Sequence, residues 1–191
     1  MNIKEVLESN PLIASAQHEN LKEAVKSNVS AVFLMEGKLI RLLEDEFQIL
    51  KNEKPVFLHT DLLKGLSSDR EAVSFIKKYV NPAGIISTKS SIIKAAKKRG
   101  IITVQRIFLI DSKSLKSAIE SIRENDPDVI EVMPALASSI VDTIKREIDK
   151  PVILGGLVDS EKHIIDALNA GADGISFSKS SLWNTKITKY V

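Results

Sequence analysis

The sequence predicts an α/β protein, a compact single-domain TIM-type (β/α)8 barrel spanning residues 1–191. Three observations carry that expectation. Eight short apolar segments alternate with stretches of helical periodicity, and consecutive parallel strands need a crossover of helical length between them. The chain has 191 residues, which suffices for one core with short loops and no inserted domain. Finally, the two halves echo each other: Gly84-Ile85-Ile86-Ser87-Thr88-Lys89-Ser90-Ser91-Ile92 aligns without a gap to Gly174-Ile175-Ser176-Phe177-Ser178-Lys179-Ser180-Ser181-Leu182, and Pro55-Val56-Phe57-Leu58 recurs as Pro151-Val152-Ile153-Leu154. Matches this short also arise by chance, so the architecture rests on the alternation. An open doubly wound sheet competes, but it usually has fewer strands and a Gly-rich first turn that this chain lacks.

Taken in order, a short polar-apolar segment precedes Pro11, which introduces a first strand over 12–14 and a brief helix over 19–27. Residues 30–35 form the second strand, stopped by Gly37. A helix follows over 39–51, with Leu39, Leu42, Leu43, Phe47 and Leu50 on one side. The third strand covers 55–59, and Ala72, Val73, Ile76 and Val80 share the buried face of a helix over 70–79. Strand four spans 84–87, and its helix runs over 90–99 to the C-terminal stop Gly100. Strand five (101–105), a helix (114–125), strand six (129–133) and a helix (137–148) come next. Strand seven (152–154), a helix (160–170) and strand eight (174–178) complete the alternation, and the tail from Ser181 holds at most a short helix. Ser180 or Ser181 is expected as the N-cap there.

Composition excludes several classes. Formal net charge is only +2, so any nucleic-acid surface must be a local patch. No cysteine is present, which rules out disulfides and thiolate metal sites and suits a reducing compartment. The first residues lack the apolar core of a secretion signal, and no apolar run reaches the length of a membrane span, so a cytoplasmic protein is expected. His18, His59 and His163 lie on separate elements, so no metal site is predicted. His163 reads as a surface or packing residue.

Barrel chemistry gathers at the C-terminal ends of the strands, with a phosphate often held by the loops after strands seven and eight. Gly155 and Gly156 follow strand seven, and Ser176, Ser178 and Lys179 end strand eight, which together predict a phosphate pocket. The other strand ends add Asp61, Ser87, Lys89, Gln105, Arg106 and Glu131, with His59 beside them. Glu131 stands among apolar neighbours and needs a cation, Arg106 or Lys89, or a ligand hydroxyl. A structural ion pair and a polyol-binding role both fit. Lys94, Lys97, Lys98 and Arg99, with Lys77 and Lys78 on the preceding helix, form a candidate RNA-binding patch or a merely solvated one.

His59–Leu66, Asn81–Ser91, Gln105–Asp111, Asp128–Pro134 and Gly155–Leu157 together resemble the glycerol-3-phosphate-responsive antiterminators, regulators of glycerol uptake operons. The resemblance runs along nearly the whole chain in order. It implies a small barrel that binds glycerol 3-phosphate, acts on leader mRNA to prevent termination, needs no cofactor and does not turn the ligand over. It implies phosphate beside Gly155, Gly156, Ser176 and Ser178, with Asp61, Gln105, Arg106 and Glu131 around the glycerol end. Lys89 departs from an expected arginine, Ala135 from an expected glycine, and Val158-Asp159 from the usual sequence after the glycines; Asp159 is a candidate cap of the next helix. Two other readings stay open: a phosphosugar lyase, isomerase or epimerase with Glu131 or Asp61 as base, and a sensor with a protein partner. Self-association as a homo-oligomer is also left open.

Overall fold

The structure, a computed structural model, describes residues 1–187, the side chains of 137 and 138 apart. Its strands are β1 (Leu12–Gln17), β2 (Ala31–Lys38), β3 (Val56–His59), β4 (Gly84–Ser87), β5 (Ile102–Phe108), β6 (Val129–Met133), β7 (Val152–Gly155) and β8 (Gly174–Phe177). Each pairs in parallel with the next in sequence, and β8 pairs with β1, so the ring closes. This is the expected eight-stranded barrel. β2 does not stop at Gly37: its end pairs with a two-residue strand, Leu63–Lys64, not expected from the sequence.

The helices are α1 (Ile3–Ser9), α2 (Leu21–Lys26), α3 (Leu39–Leu42), α4 (Asp45–Glu53), α5 (Arg70–Phe75), α6 (Ser90–Lys97), α7 (Ser112–Asn125), α8 (Val141–Glu147) and α9 (Glu161–Asn169). The single helix expected over 39–51 is two, because Glu44 is extended and the helix restarts behind it. The helix expected over 70–79 ends in a π-helical turn, Ile76–Val80, closed by left-handed Asn81. A 3-10 stretch, Ala135–Ile140, precedes α8.

Because strand side chains alternate between faces, the chain builds two cores. Between the barrel and its helices lie Val32, Leu34, Leu58, Ile85, Ile130, Leu154 and Ile175 among many others, joined by Trp183, whose indole N–H donates to the Phe177 carbonyl at 3.0 Å. Inside the barrel lie Ile13, Ala31, Phe33, Phe57, Ile86, Val104, Val129 and Ile153, with Ile3 and Leu7 of α1. α1 thus plugs the N-terminal mouth with two apolar residues one turn apart. Apolar filling occupies the lower barrel, which leaves polar inward positions only near the C-terminal mouth.

The sequence echoes fall on β4 and β8 and on β3 and β7, strands four places apart in a ring of eight and therefore across the barrel from each other. Gly84 and Gly174, their shared first residue, meet the same constraint. A Cβ on Gly84 would lie 2.5 Å from the Phe57 ring, and one on Gly174 would lie 2.9 Å from Leu7 Cδ2.

Candidate functional site

The C-terminal mouth holds a cavity of about 660 Å³. Its walls include Gly156–Asp159 after β7 and Ser176–Ser178 at the end of β8, with Ser15, Met35, Arg106 and Met133 from other strands and His163 from α9. The two loops expected to share a hollow therefore do so.

Beneath it sits a buried ion pair. Arg106 Nε donates to Glu131 Oε2 at 2.7 Å, and the Ser176 hydroxyl donates to Glu131 Oε1 at 2.6 Å. All three are at most 5% exposed, so Arg106 is the cation that Glu131 requires. Gly155 makes room for this network: a Cβ there would lie 2.9 Å from Glu131 Oε1 and closer still to Ser176 Oγ. Gly155 serves the carboxylate below, and Gly156 (φ +79) and Leu157 (φ +61) turn the chain over the mouth in left-handed conformations. For Leu157 that conformation costs about 1–2 kcal/mol, and its side chain stays 69% exposed.

His59, also inward, is 4% exposed, and its Nδ1 has no hydrogen-bond partner among the described residues. Burial, reinforced by the Arg106 charge, pushes its pKa down to about 4, so it is neutral at physiological pH.

Other expected site residues lie elsewhere. Gln105 points outward, because its neighbour Arg106 takes the inward position; its amide donates to Ser121 and its oxygen accepts from Asn125, both on α7. Ser87 also points away from the axis and donates to Asp61 Oδ1 at 2.6 Å. Asp61 Oδ2 accepts from the Thr88 N–H at 2.7 Å and the Thr88 hydroxyl at 2.8 Å. Burial pushes the Asp61 pKa up, but these donors outweigh it and hold the carboxyl below its usual range. Asp61 and Lys89 follow β3 and β4 and Ser87 ends β4, across the ring from the loops after β7 and β8, and none of the three walls the cavity. Lys179 reaches back to donate to the Asp159 carbonyl at 2.7 Å, tying the two loops together outside the cavity wall.

The tail does not begin with a serine-capped helix. Ser180–Leu182 is one 3-10 turn without a side-chain cap, too short to supply a useful dipole. Ser160, rather than Asp159, caps α9. His163 is no bystander: its Nδ1 lies 3.0 Å from Asp159 Oδ1, and both line the cavity. Sequence reasoning also missed Ser15, Met35 and Met133, although alternation from Ile13, Phe33 and Glu131 places each inward.

The basic residues of the candidate RNA patch do not form a continuous field. Lys94 pairs with Glu124 at 2.5 Å, and Lys97 lies 3.2 Å from Asp126 and 3.1 Å from Asp128. Arg99 donates to Ser74 and to the Ala95 carbonyl. Among the described residues, Lys77, Lys78 and Lys98 have no carboxylate partner. A second cavity, about 590 Å³, lies against α2 and α4; charges of both signs line it, and Lys64 pairs there with Glu36.

Residues 12–183 match the family described as glycerol-3-phosphate responsive antiterminator. The chain belongs to that family. It is 30% identical over 184 residues to YgcP, an uncharacterized protein of Escherichia coli, covering 96% of each chain. A glycerol uptake operon antiterminator regulatory protein of Listeria monocytogenes superposes with a TM-score of 0.85 at 27% identity, covering 93% of this chain and 96% of that one. A glycerol uptake operon antiterminator-related protein of Thermotoga maritima gives a TM-score of 0.78 at 32% identity, covering 91% and 98%. Orotidine 5'-phosphate decarboxylase of Pyrococcus horikoshii, at 15% identity and a TM-score of 0.64, shares the fold alone. The family is regulatory, and among the described residues of this antiterminator relative no helix is long and apolar enough to cross a membrane.

Proposed function

We propose that this chain is a glycerol-3-phosphate-responsive regulator that binds its effector in the mouth cavity and, in that state, acts on the leader RNA of a glycerol operon to prevent termination. The phosphate sits between the two loops, held by the Ser178 hydroxyl and by main-chain N–H groups of Leu157, Val158 and Ser178. Effector binding shifts the population toward the RNA-competent state by its differential affinity for that state.

One observation carries the phosphate assignment. Thr88 stands where Ser178 stands in the echo, and its N–H and hydroxyl together hold a carboxylate, that of Asp61. After β7 the corresponding loop carries Leu157 in place of Asp61, so Ser178 has no such internal partner there, and the carboxylate that this loop does bring to the cavity, Asp159, lies against His163. The same local sequence therefore supports an external anion on one side of the barrel and an internal one on the other.

The carboxylates weighed as catalytic bases favour regulation over turnover. Glu131 is committed to Arg106 and Ser176, and Asp61 to Ser87 and Thr88, so neither offers a poised lone pair in the cavity. Calorimetry with glycerol 3-phosphate, followed by retention of leader RNA with and without it, tests the reading. Saturable binding that enhances RNA retention is expected. Turnover of a triose or pentose phosphate that vanishes in Glu131→Gln would instead identify an enzyme, and effector binding without RNA retention would point to a protein partner.

A further inference from the structure

Two polar groups in the upper barrel lack the partners their burial demands. Arg106 commits Nε to Glu131, while its Nη2 meets, among the described residues, only the Met35 sulfur, at 3.2 Å. A thioether is a weak acceptor, so the guanidinium edge beside the cavity is under-bonded. His59 Nδ1 is buried without a partner among the described residues. His59 and Met35 are the positions following paired Leu58 and Leu34, which sets them side by side at the ends of adjacent strands, and the Arg106 charge acts on the His59 ring. Met35 and Arg106 both wall the cavity.

We propose that Arg106 and His59 form a second subsite that reads an alcohol group of the ligand. The alcohol oxygen accepts from Arg106 Nη2, its O–H donates to the unprotonated ring nitrogen of His59, and the flexible Met35 side chain moves aside. Met35 sulfur holds the place of that oxygen when the site is empty. A carboxylate fits worse on two counts: Glu131 already neutralises Arg106 at 2.7 Å and repels a second negative charge, and a carboxylate has no proton for His59. A methylene satisfies neither group. The subsite rests on the phosphate reading above and adds selection for hydroxylated phosphoesters, with His59 as a specificity-determining residue.

Calorimetry with three probes separates the subsite from the phosphate pocket: glycerol 3-phosphate, propyl phosphate, which keeps the ester but has no hydroxyl, and 3-phosphonooxypropanoate, which ends in a carboxylate and has no hydroxyl. The wild-type protein should prefer glycerol 3-phosphate over each of the others by about tenfold or more, the worth of a hydrogen bond made to a charged buried donor. His59→Leu should cut the preference over propyl phosphate to about threefold or less. His59→Gln, which retains a donor and an acceptor, should keep most of it and guards against a folding defect in the leucine variant. Equal wild-type affinity for glycerol 3-phosphate and propyl phosphate overturns the subsite and leaves the phosphate pocket standing. Binding of neither ester overturns both.

Discussion

Replacing Glu131 by leucine removes the only carboxylate among the described residues within ion-pair distance of Arg106 and leaves the Ser176 hydroxyl without its acceptor. Arg106 gains little from water, since its side chain is 4% exposed even at the cavity wall and Glu131 lies at 0%. An uncompensated buried charge of this kind costs about 3–5 kcal/mol. For a chain of this length, that lowers the melting temperature by about 6–20 °C. The double variant Arg106→Met/Glu131→Leu removes the stranded charge with its partner and should recover most of the loss, because a buried ion pair is worth little against an apolar pair of similar volume. Urea unfolding of the wild type, both single variants and the double variant gives the cycle. A Glu131→Leu protein within about 1 kcal/mol of wild type, or a double variant no more stable than the singles, would falsify the assignment of this pair as a sealed structural unit.

Four further outcomes are expected. His59 binds a proton in the unfolded chain below its ordinary pKa of about 6.5 but resists it in the fold down to about 4. Its contribution is therefore complete above pH 6.5 or so and lost as pH falls toward 4, with an upper size of about 3 kcal/mol. His59→Leu should flatten the urea midpoint across that window; an unchanged slope would assign the pH dependence to other groups. Asp61, whose pKa is held down, stabilises the fold above its unfolded pKa and ceases to do so as pH falls through its folded one. Asp61→Asn should cost about 1–2 kcal/mol at neutral pH and flatten the acid limb, and calorimetric unfolding that matches wild type at pH 7 and pH 3 would contradict this. Leu7→Ala, by opening the plug beneath the barrel, should cost about 2–5 kcal/mol in a denaturant titration. In filter binding, neutralising Lys77, Lys78 and Lys98 should reduce the salt dependence of RNA retention more than neutralising ion-paired Lys94 and Lys97; the reverse order would place the RNA elsewhere.

The barrel was legible because alternation of apolar strands and helices is a property of the whole chain and tolerates local error. β4 and β6 match their expected limits residue for residue, while β5 runs on through Arg106 to Phe108 because inward polar residues still belong to a strand. α1 was not read as a helix, since seven residues with two buried positions make too short a period to recognise. Within the site, the pairing of Arg106 with Glu131 follows from the cost of burying a lone carboxylate. The inclusion of Gln105 and Ser87 in the mouth overlooked the two-residue period: Arg106 and Ile86 point inward, so their neighbours face the helices. Nothing in the sequence signalled that Gly155 makes space for a carboxylate on another strand, because that is a three-body contact among β6, β7 and β8.

The central claim, that two loops distant in the chain jointly hold a phosphorylated ligand, is tested most directly by backbone amide shifts during titration with glycerol 3-phosphate. The amides of Leu157, Val158, Ser178 and Lys179 should shift together, saturate at one equivalent and fall silent in Gly156→Val, whose side chain would crowd Met133 Cε, 3.0 Å from a Cβ at that position. Shifts centred instead on the outer cavity around Gln17, Lys22 and Lys38, or an undiminished response in Gly156→Val, would contradict the account.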